Sequence, residues 1–237
     1  MGSLAVLVLG AGAWAVTQRT AAKPALGLLT TLPIYWSETY DIGEAIDGQE
    51  PPHWVRTALE RDYELQPLDT LEPGEDGLGA LDDLLLAQPR ALSGAENVAL
   101  DDWVRAGGHA LIFADPFLTD DSRFAIGDRR RPQDVVLLSP ILRRWGLELR
   151  FDPDQPEGEH AVALDDQTVP VNLAGTLVPV EGSAPSNCSI IAQGLVAECT
   201  IGKGRAVVVA DAAMLERWRG EPASRLVEHL AARAFDD

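Results

Sequence analysis

One stretch of the sequence, residues 81–116, constrains the fold of this chain more than any other. It is LDDLLLAQPRALSGAENVALDDWVRAGGHALIFADP. A short apolar run at 84–87 is stopped at Gln88, and a second apolar run at 110–114 ends at Asp115. Two buried strands joined by a helix form a parallel βαβ unit, which is nearly always right-handed. The stretch therefore predicts an α/β fold with a mostly parallel sheet.

The segment between the two apolar runs carries the signals of a helix. Ser93 and Glu96 have the S-x-x-E spacing of a capping box, in which each side chain bonds the other residue's backbone N–H. Gly107 supplies the left-handed residue that ends a helix. The apolar residues within the segment recur at helical spacing, and these are Val98, Ala99, Trp103 and Ala106.

The rest of the chain predicts a single α/β domain over residues 23–237. From Asp152 the pattern changes to short alternating strands and turns, which indicates a β-rich elaboration at about 152–204 that includes a C-terminal β-hairpin. An apolar strand then runs to Asp211, and a helix from about Ala223 to Ala232 closes the domain.

The hairpin prediction places the only two cysteines opposite each other. A two-residue turn at Gln193-Gly194 puts Cys188 beside Cys199. In an oxidising compartment this pair would form a disulfide, whereas in the cytosol both side chains would be small buried hydrophobes. If the pair is a hydrogen-bonded one, its wider spacing suits a disulfide less well.

The N-terminal region allows three interpretations. Residues 4–16 form an uncharged apolar run, too short for the roughly 20 residues of a membrane span but right for a signal-peptide core. Residues 1–22 are thus predicted to be a signal peptide or an N-terminal membrane anchor. Alternatively, Gly10 and Gly12 match the G-x-G-x-x-A dinucleotide fingerprint, although the acid expected about 20 residues later is missing. The third interpretation is an ordinary buried strand and helix.

Charge excludes one class of function and singles out one loop. The net charge of −18 and the pI near 4.5 argue against a nucleic-acid partner. The segment 123–150 is the exception, with seven arginines against three acids, a local charge of +4. Arginine suits carboxylate or phosphate partners, and the alternative is that these side chains pair with the protein's own acids. The candidates in the loop after residue 116 are Ser122, Arg123, Arg129, Arg130 and Arg131.

Three further candidates follow apolar strands. Gln88, Asp115 and Asp211 each lie just beyond a strand, with Arg90 close to the first, and ligands of open α/β sheets bind at that edge. Two carboxylates there can act as acid and base or hold a cation, but an aspartate at a strand end more often caps the next turn. The histidines lack metal-ligand spacing, and the sequence contains neither a nucleophile elbow nor a P-loop. We therefore predict no metal and no cofactor.

The 81–116 stretch, followed about ninety residues later by GKGRAVVVADAAML, resembles the GldG-like auxiliary domain of uncharacterised ABC-type transport systems. The resemblance covers roughly residues 26–216. It implies a class I glutamine-amidotransferase-like fold, a three-layer and flavodoxin-like sheet, without the nucleophilic cysteine. It also implies permease and ATPase subunits as partners, and an inner-membrane location with the domain on the periplasmic side, anchored through residues 4–16 or released by cleavage.

Three functional hypotheses follow. The first is a non-catalytic domain that binds a ligand or partner of an ABC-type envelope system through the strand ends and the arginine-rich loop. The second is a carboxylate-based hydrolase that uses Asp115 and Asp211. The third is a nucleotide-binding oxidoreductase that uses Gly10 and Gly12.

Overall fold

The computed structural model of the protein describes residues 22–36, 38, 51–74, 77–79, 81–180, 187–216, 219 and 221–236. The apolar run 4–16, predicted as signal peptide or anchor, lies outside these residues, as do Gly10 and Gly12. No helix within the described residues is long and apolar enough to cross a membrane.

The described residues form eleven strands and four α-helices. The strands are β1 Ala25–Thr30, β2 Glu64–Pro67, β3 Asp83–Ala87, β4 His109–Phe113, β5 Leu147–Arg150, β6 His160–Leu164, β7 Gln167–Val171, β8 Thr176–Pro179, β9 Cys188–Ile191, β10 Val196–Ile201 and β11 Gly204–Val209. The helices are α1 Trp54–Leu59, α2 Gly94–Ala106, α3 Ser139–Arg144 and α4 Glu221–Phe235. Short 3₁₀ turns occupy Ala192–Gly194 and Ala213–Leu215.

A seven-stranded sheet with the order β2-β1-β3-β4-β11-β10-β9 organises the fold. Its first five strands run parallel, whereas β10 and β9 are antiparallel to their neighbours. β3 is buried along its whole length, as expected for a parallel strand covered on both faces. α1 packs against α4, α2 packs against α3, and α4 also packs on β4 and β11. The predicted α/β class with a mostly parallel central sheet is confirmed.

The βαβ unit predicted from residues 81–116 is present as β3, α2 and β4. The capping box is formed, with the Ser93 hydroxyl accepting from the Glu96 N–H and the Glu96 carboxylate accepting from the Ser93 N–H. The helix predicted from the apolar pattern is present, and Ala99 and Trp103 pack against the core, whereas Val98 is 61% exposed. The fully buried residues of α2 are Glu96, Leu100, Asp101 and Val104.

One of the buried residues of α2 is an acid, Asp101. Asp101 accepts hydrogen bonds from Arg105, Arg144 and the Trp145 indole at 2.8–3.0 Å. Because such partners compensate the cost of burying a carboxylate, a charged side chain occupies the inner face of the helix.

The strands of the β-rich segment are divided among three sheets. β6 and β7 pair with each other, and β5 pairs with β8, whereas the β9–β10 hairpin extends the central sheet. Cys188 lies opposite Cys199 as predicted, and the two form a disulfide with 4.0 Å between their Cα atoms. The Thr200 N–H donates to the Asn187 carbonyl, so that neighbouring pair is the hydrogen-bonded one. The cysteines therefore occupy the closer, non-hydrogen-bonded position, and the alternative of a wider pair is wrong.

Candidate functional site

The carboxyl ends of β3, β4 and β11 meet at one edge of the sheet and bring three predicted residues together. Gln88 follows β3 directly, and Asp115 and Asp211 lie two residues beyond β4 and β11. We call these three side chains the strand-end cluster. All three are completely buried.

Gln88 is bonded to the chain through both ends of its side-chain amide. Its Oε1 accepts from the Asp115 N–H at 2.9 Å, and its Nε2 donates to the carbonyls of Asp115 at 3.1 Å and Gln133 at 2.8 Å. Its backbone is in the left-handed region, with φ of 46°. The side chain thus ties β3 to the segment after β4 and to residue 133, and does not reach solvent.

The two aspartates of the cluster bind backbone N–H groups. Asp115 accepts from Phe117 at 2.8 Å through Oδ1 and from Ala212 at 3.0 Å through Oδ2. Asp211 accepts from Ala213 at 2.7 Å and from Asn172 at 3.0 Å. Each carboxylate therefore caps a turn after its own strand and also links that strand to another segment of the chain.

Burial controls the protonation of this pair. It raises the pKa of Asp115 to about 6, against the lowering effect of the two N–H donors. Burial also raises the pKa of Asp211 well above its usual value, and the nearby charge of Asp115 raises it further. Ionisation of one carboxyl group therefore makes ionisation of the other less favourable. Such pairs occur in acid–base catalytic sites and also where carboxyl groups cap turns.

Two acids that sequence reasoning missed lie beside the cluster. Glu216 accepts from the Thr119 hydroxyl at 3.3 Å, and its charge raises the pKa values of Asp115 and Asp211 further. Burial and the charges of Glu216 and Glu38 raise the pKa of Asp120 to about 6. No local motif marks these residues, because they meet through folding of distant segments. No group of His, Cys, Asp or Glu within the described ranges is arranged to hold a metal ion.

The arginines predicted to contact a ligand bind groups of the chain itself, with one exception. Arg90 pairs with Glu96 at 2.7 Å, Arg130 binds both carboxylate oxygens of Asp128, and Arg131 pairs with Asp134 at 3.0 Å. Glu38 accepts from the Ser122 hydroxyl at 2.7 Å and from the backbone N–H of Arg123 at 2.9 Å. Arg129 is exposed and forms no ion pair with the described residues.

The loop between β4 and α3 presents apolar side chains to solvent, which sequence reasoning also missed. Two of its segments run antiparallel, with the Leu118 N–H donating to the Asp134 carbonyl at 2.9 Å and the Val136 N–H to the Asp115 carbonyl at 3.0 Å. Leu118, Val136 and Leu138 point into the core, whereas the alternate residues are 48–55% exposed. We call the latter the apolar strip, and its members are Phe117, Val135 and Leu137.

The protein is a mixed α/β domain in which the loop between β4 and α3 covers the carboxyl ends of β3 and β4. Residues 23–174 match the family model described as an ABC-type uncharacterized transport system, ABC_transp_aux. The chain belongs to this family of ABC-type transport auxiliary domains, which confirms the family inferred from residues 81–116. The comparison with curated proteins finds no match.

Solved structures are similar to the chain at low sequence identity, and one of them has a TM-score above 0.5. The exo-β-1,4-mannosidase Op5Man5 from Opitutaceae bacterium strain TAV5 is 14% identical, with a TM-score of 0.55 over 91% of this chain and 36% of that one. A β-galactosidase from Bacillus circulans is 10% identical, with a TM-score of 0.47 over 88% and 30% of the two chains. A cytoplasmic protein from Salmonella typhimurium LT2 is 12% identical, with a TM-score of 0.49 over 89% and 99%. The chain spans about a third of the length of the two glycosidases, and these likenesses concern the fold alone.

Proposed function

We propose that this chain is a non-catalytic, partner-binding domain of an ABC-type transport system, exported to the periplasmic side of the inner membrane. Its partners are the permease and ATPase subunits, and residues 4–16 anchor it or are cleaved. Family membership supports the transport assignment. We further propose the three-layer, glutamine-amidotransferase-like form of the fold, which is supported by β3 being buried along its whole length.

One observation carries the non-catalytic assignment. Both oxygens of Asp115 and both oxygens of Asp211 accept backbone hydrogen bonds, and both side chains are completely buried. A catalytic carboxylate has to reach a substrate directly or through one water molecule. Asp115 instead holds the start of the loop that carries the apolar strip, through the Phe117 N–H, which supports a binding function for the exposed face of that loop.

The disulfide supports export. Disulfides persist in oxidising compartments such as the periplasm and are rare in the cytosol. The Cys188–Cys199 pair joins two neighbouring strands of the central sheet. A stable bond at this position fits a domain outside the cytoplasm.

Co-purification of the full chain from its native host tests this function. We expect an affinity tag on the permease to retain the chain together with the ATPase from detergent-solubilised membranes. We expect Asp115→Asn and Asp211→Asn variants that still fold to be retained as well, because both side chains are completely buried. Recovery of an intact permease–ATPase complex without the chain would refute the proposal.

A carboxylate-based hydrolase is the second candidate, favoured by the raised pKa values of Asp115 and Asp211 at neighbouring strand ends. It requires an opening of the loop to admit substrate. Transport activity of the intact system that survives both Asp→Asn substitutions would refute it. No contact of the described residues favours the oxidoreductase alternative, since Gly10 and Gly12 lie outside them.

A further inference from the structure

The apolar strip departs from the pattern expected of two antiparallel segments that cover the core with one face. When only one face of an antiparallel pair lies on the core, the other face normally carries polar side chains. Here Phe117, Val135 and Leu137 occupy the outer face, and the Phe117 ring stacks on Phe151 with 5.6 Å between centroids. The outer face of the loop is therefore apolar at these positions, and the aromatic pair adds to it.

Exposed apolar side chains are concentrated at this edge of the sheet. Within the described residues, six large hydrophobic side chains are exposed, and five of them lie in the loops after β1 and β4. The five are Trp36, Phe117, Ile126, Val135 and Leu137. The two loops meet where Glu38 binds Ser122 and Arg123. Single exposed hydrophobic residues are ordinary, but a concentration of them marks an interaction surface.

The strip is held in place before any partner arrives. The Val136 N–H bonds the Asp115 carbonyl, and Gln88 bonds the Gln133 carbonyl, so buried polar groups fix both antiparallel segments. A preorganised surface loses little conformational entropy when it binds.

The charges around the strip indicate the kind of partner. Residues 117–138 contain four arginines and four aspartates, but Asp128 and Asp134 are occupied by Arg130 and Arg131. The exposed Arg129 is thus available to a carboxylate of another protein. The extended negative surface of an anionic bilayer would repel a chain with a net charge of −18, whereas a short protein segment meets only the local charge beside the strip. An apolar centre with arginines and aromatic residues around it is instead typical of protein–protein interfaces.

We propose that the apolar strip docks a protein segment that carries an apolar centre flanked by carboxylates, and that this segment belongs to the permease. This proposal rests on the proposed function, because the transport partner supplies the segment. Phe117, Val135 and Leu137 bury the apolar centre, and Arg129 pairs with a flanking carboxylate.

Binding of the full chain to the permease–ATPase complex in detergent tests the proposal. The Val135→Ser/Leu137→Ser double variant is expected to bind at least tenfold more weakly than the unaltered chain. The matched control is Val98→Ser, because Val98 is equally exposed on α2 and lies outside the loop. Arg129→Glu is expected to weaken binding several-fold and to reduce its salt dependence, whereas Arg225→Glu, an exposed arginine of α4, is not.

The remaining outcomes separate the two proposals. Equal binding of the complex by the unaltered chain and the double variant would overturn the docking surface while leaving the proposed function intact. Failure of the unaltered chain to bind the complex would overturn both. Two further results would overturn the proposed docking of a permease segment. One is binding to vesicles of phosphatidylethanolamine and phosphatidylglycerol that depends on the strip, because the strip would then bind a membrane. The other is self-association in analytical ultracentrifugation that depends on the strip, because the strip would then bind a second copy of this chain.

Discussion

The side-chain amide of Gln88 bonds both backbone polar groups of Asp115. It accepts from the Asp115 N–H at 2.9 Å and donates to the Asp115 carbonyl at 3.1 Å. Hydrogen bonds between the β3 and β4 segments thereby extend past the last backbone pair of the ladder, Ala87 beside Phe113. Because the same amide also bonds the Gln133 carbonyl, one side chain joins two strands to the loop that covers them.

Replacing Gln88 with Met tests the importance of this link. The change keeps the length of the side chain but removes three hydrogen bonds, leaving the buried Asp115 N–H without that acceptor and the Gln133 carbonyl without that donor. An unsatisfied buried group costs about 1–3 kcal/mol, so we expect the free energy of unfolding to fall by about 2–4 kcal/mol. Urea unfolding measures it.

The exposed Gln66 on β2 provides the matched control. Gln66→Met is expected to change the free energy of unfolding by less than about 0.5 kcal/mol, as surface substitutions usually do. Equal effects at the two positions would show that Gln88 has no special structural role.

The sequence predicted those parts of the fold whose signals are local. The capping box of Ser93 and Glu96 located α2, and the Gln193-Gly194 turn placed Cys188 opposite Cys199. The meeting of the strand ends followed from the parallel sheet. These predictions succeeded because each depends on residues close in sequence or on a general rule of topology.

The features that sequence reasoning missed depend on contacts between distant segments. The inner face of α2 could not be read from its apolar residues, because Asp101 is compensated by Arg144 and Trp145 from α3 and its end. The strand-end cluster was expected to face a ligand, but the loop after β4 folds over it. The apolar strip could not be recognised because residues 135–138 are all apolar. Val136 and Leu138 are buried, whereas Val135 and Leu137 are exposed, and the sequence alone does not distinguish the two faces.

The raised pKa values at the strand ends predict an unusual dependence of stability on pH. The pKa of Asp115 is about 6 in the folded chain, whereas in the unfolded chain it lies near 3.8, the ordinary value for an aspartate. Between these values the folded state binds the additional proton, so the free energy of unfolding rises as the pH falls. From pH 7 to pH 5 we expect Asp115 to contribute a gain of about 1 kcal/mol.

Urea unfolding at pH 7, 6 and 5 checks this dependence. Asp211 and Asp120 act in the same direction, because their pKa values are also raised by burial. Asp115→Asn is expected to reduce the rise in the free energy of unfolding between pH 7 and pH 5. The control Asp134→Asn, at an exposed position, should leave that rise unchanged. Stability that falls steadily from pH 7 to pH 5 would contradict the assignment.

Glu96 is expected to contribute to stability with the opposite pH dependence. Its buried carboxylate accepts from Arg90 and from the N–H groups of Ser93 and Leu71, and these donors hold its pKa well below the usual range. In Glu96→Gln, the side-chain NH₂ group would face hydrogen-bond donors where an oxygen now accepts from them. We expect this substitution to lower the free energy of unfolding by about 2–3 kcal/mol at pH 7. Glu64→Gln, at an exposed position of β2, is the control.

The difference between the unaltered chain and Glu96→Gln should shrink in acid. A lowered pKa in the folded state stabilises the protein above the unfolded pKa, near 4.5, and that contribution is lost as the pH falls further. Urea unfolding at pH 7 and pH 4 measures the change. A difference that grows at pH 4 would show that the effect of the substitution is not electrostatic.

The disulfide between Cys188 and Cys199 is expected to stabilise the hairpin edge of the sheet. It closes a loop with a sequence separation of 11, for which the loss of chain entropy in the unfolded state corresponds to about 2–3 kcal/mol. Urea unfolding with and without a phosphine reductant should show this difference, and the Cys188→Ser/Cys199→Ser variant should not respond to reductant. In the native host, acid-quenched protein should react with a maleimide reagent only after reduction, because the proposed location is oxidising. Immediate labelling of both thiols would contradict both the bond and the proposed export.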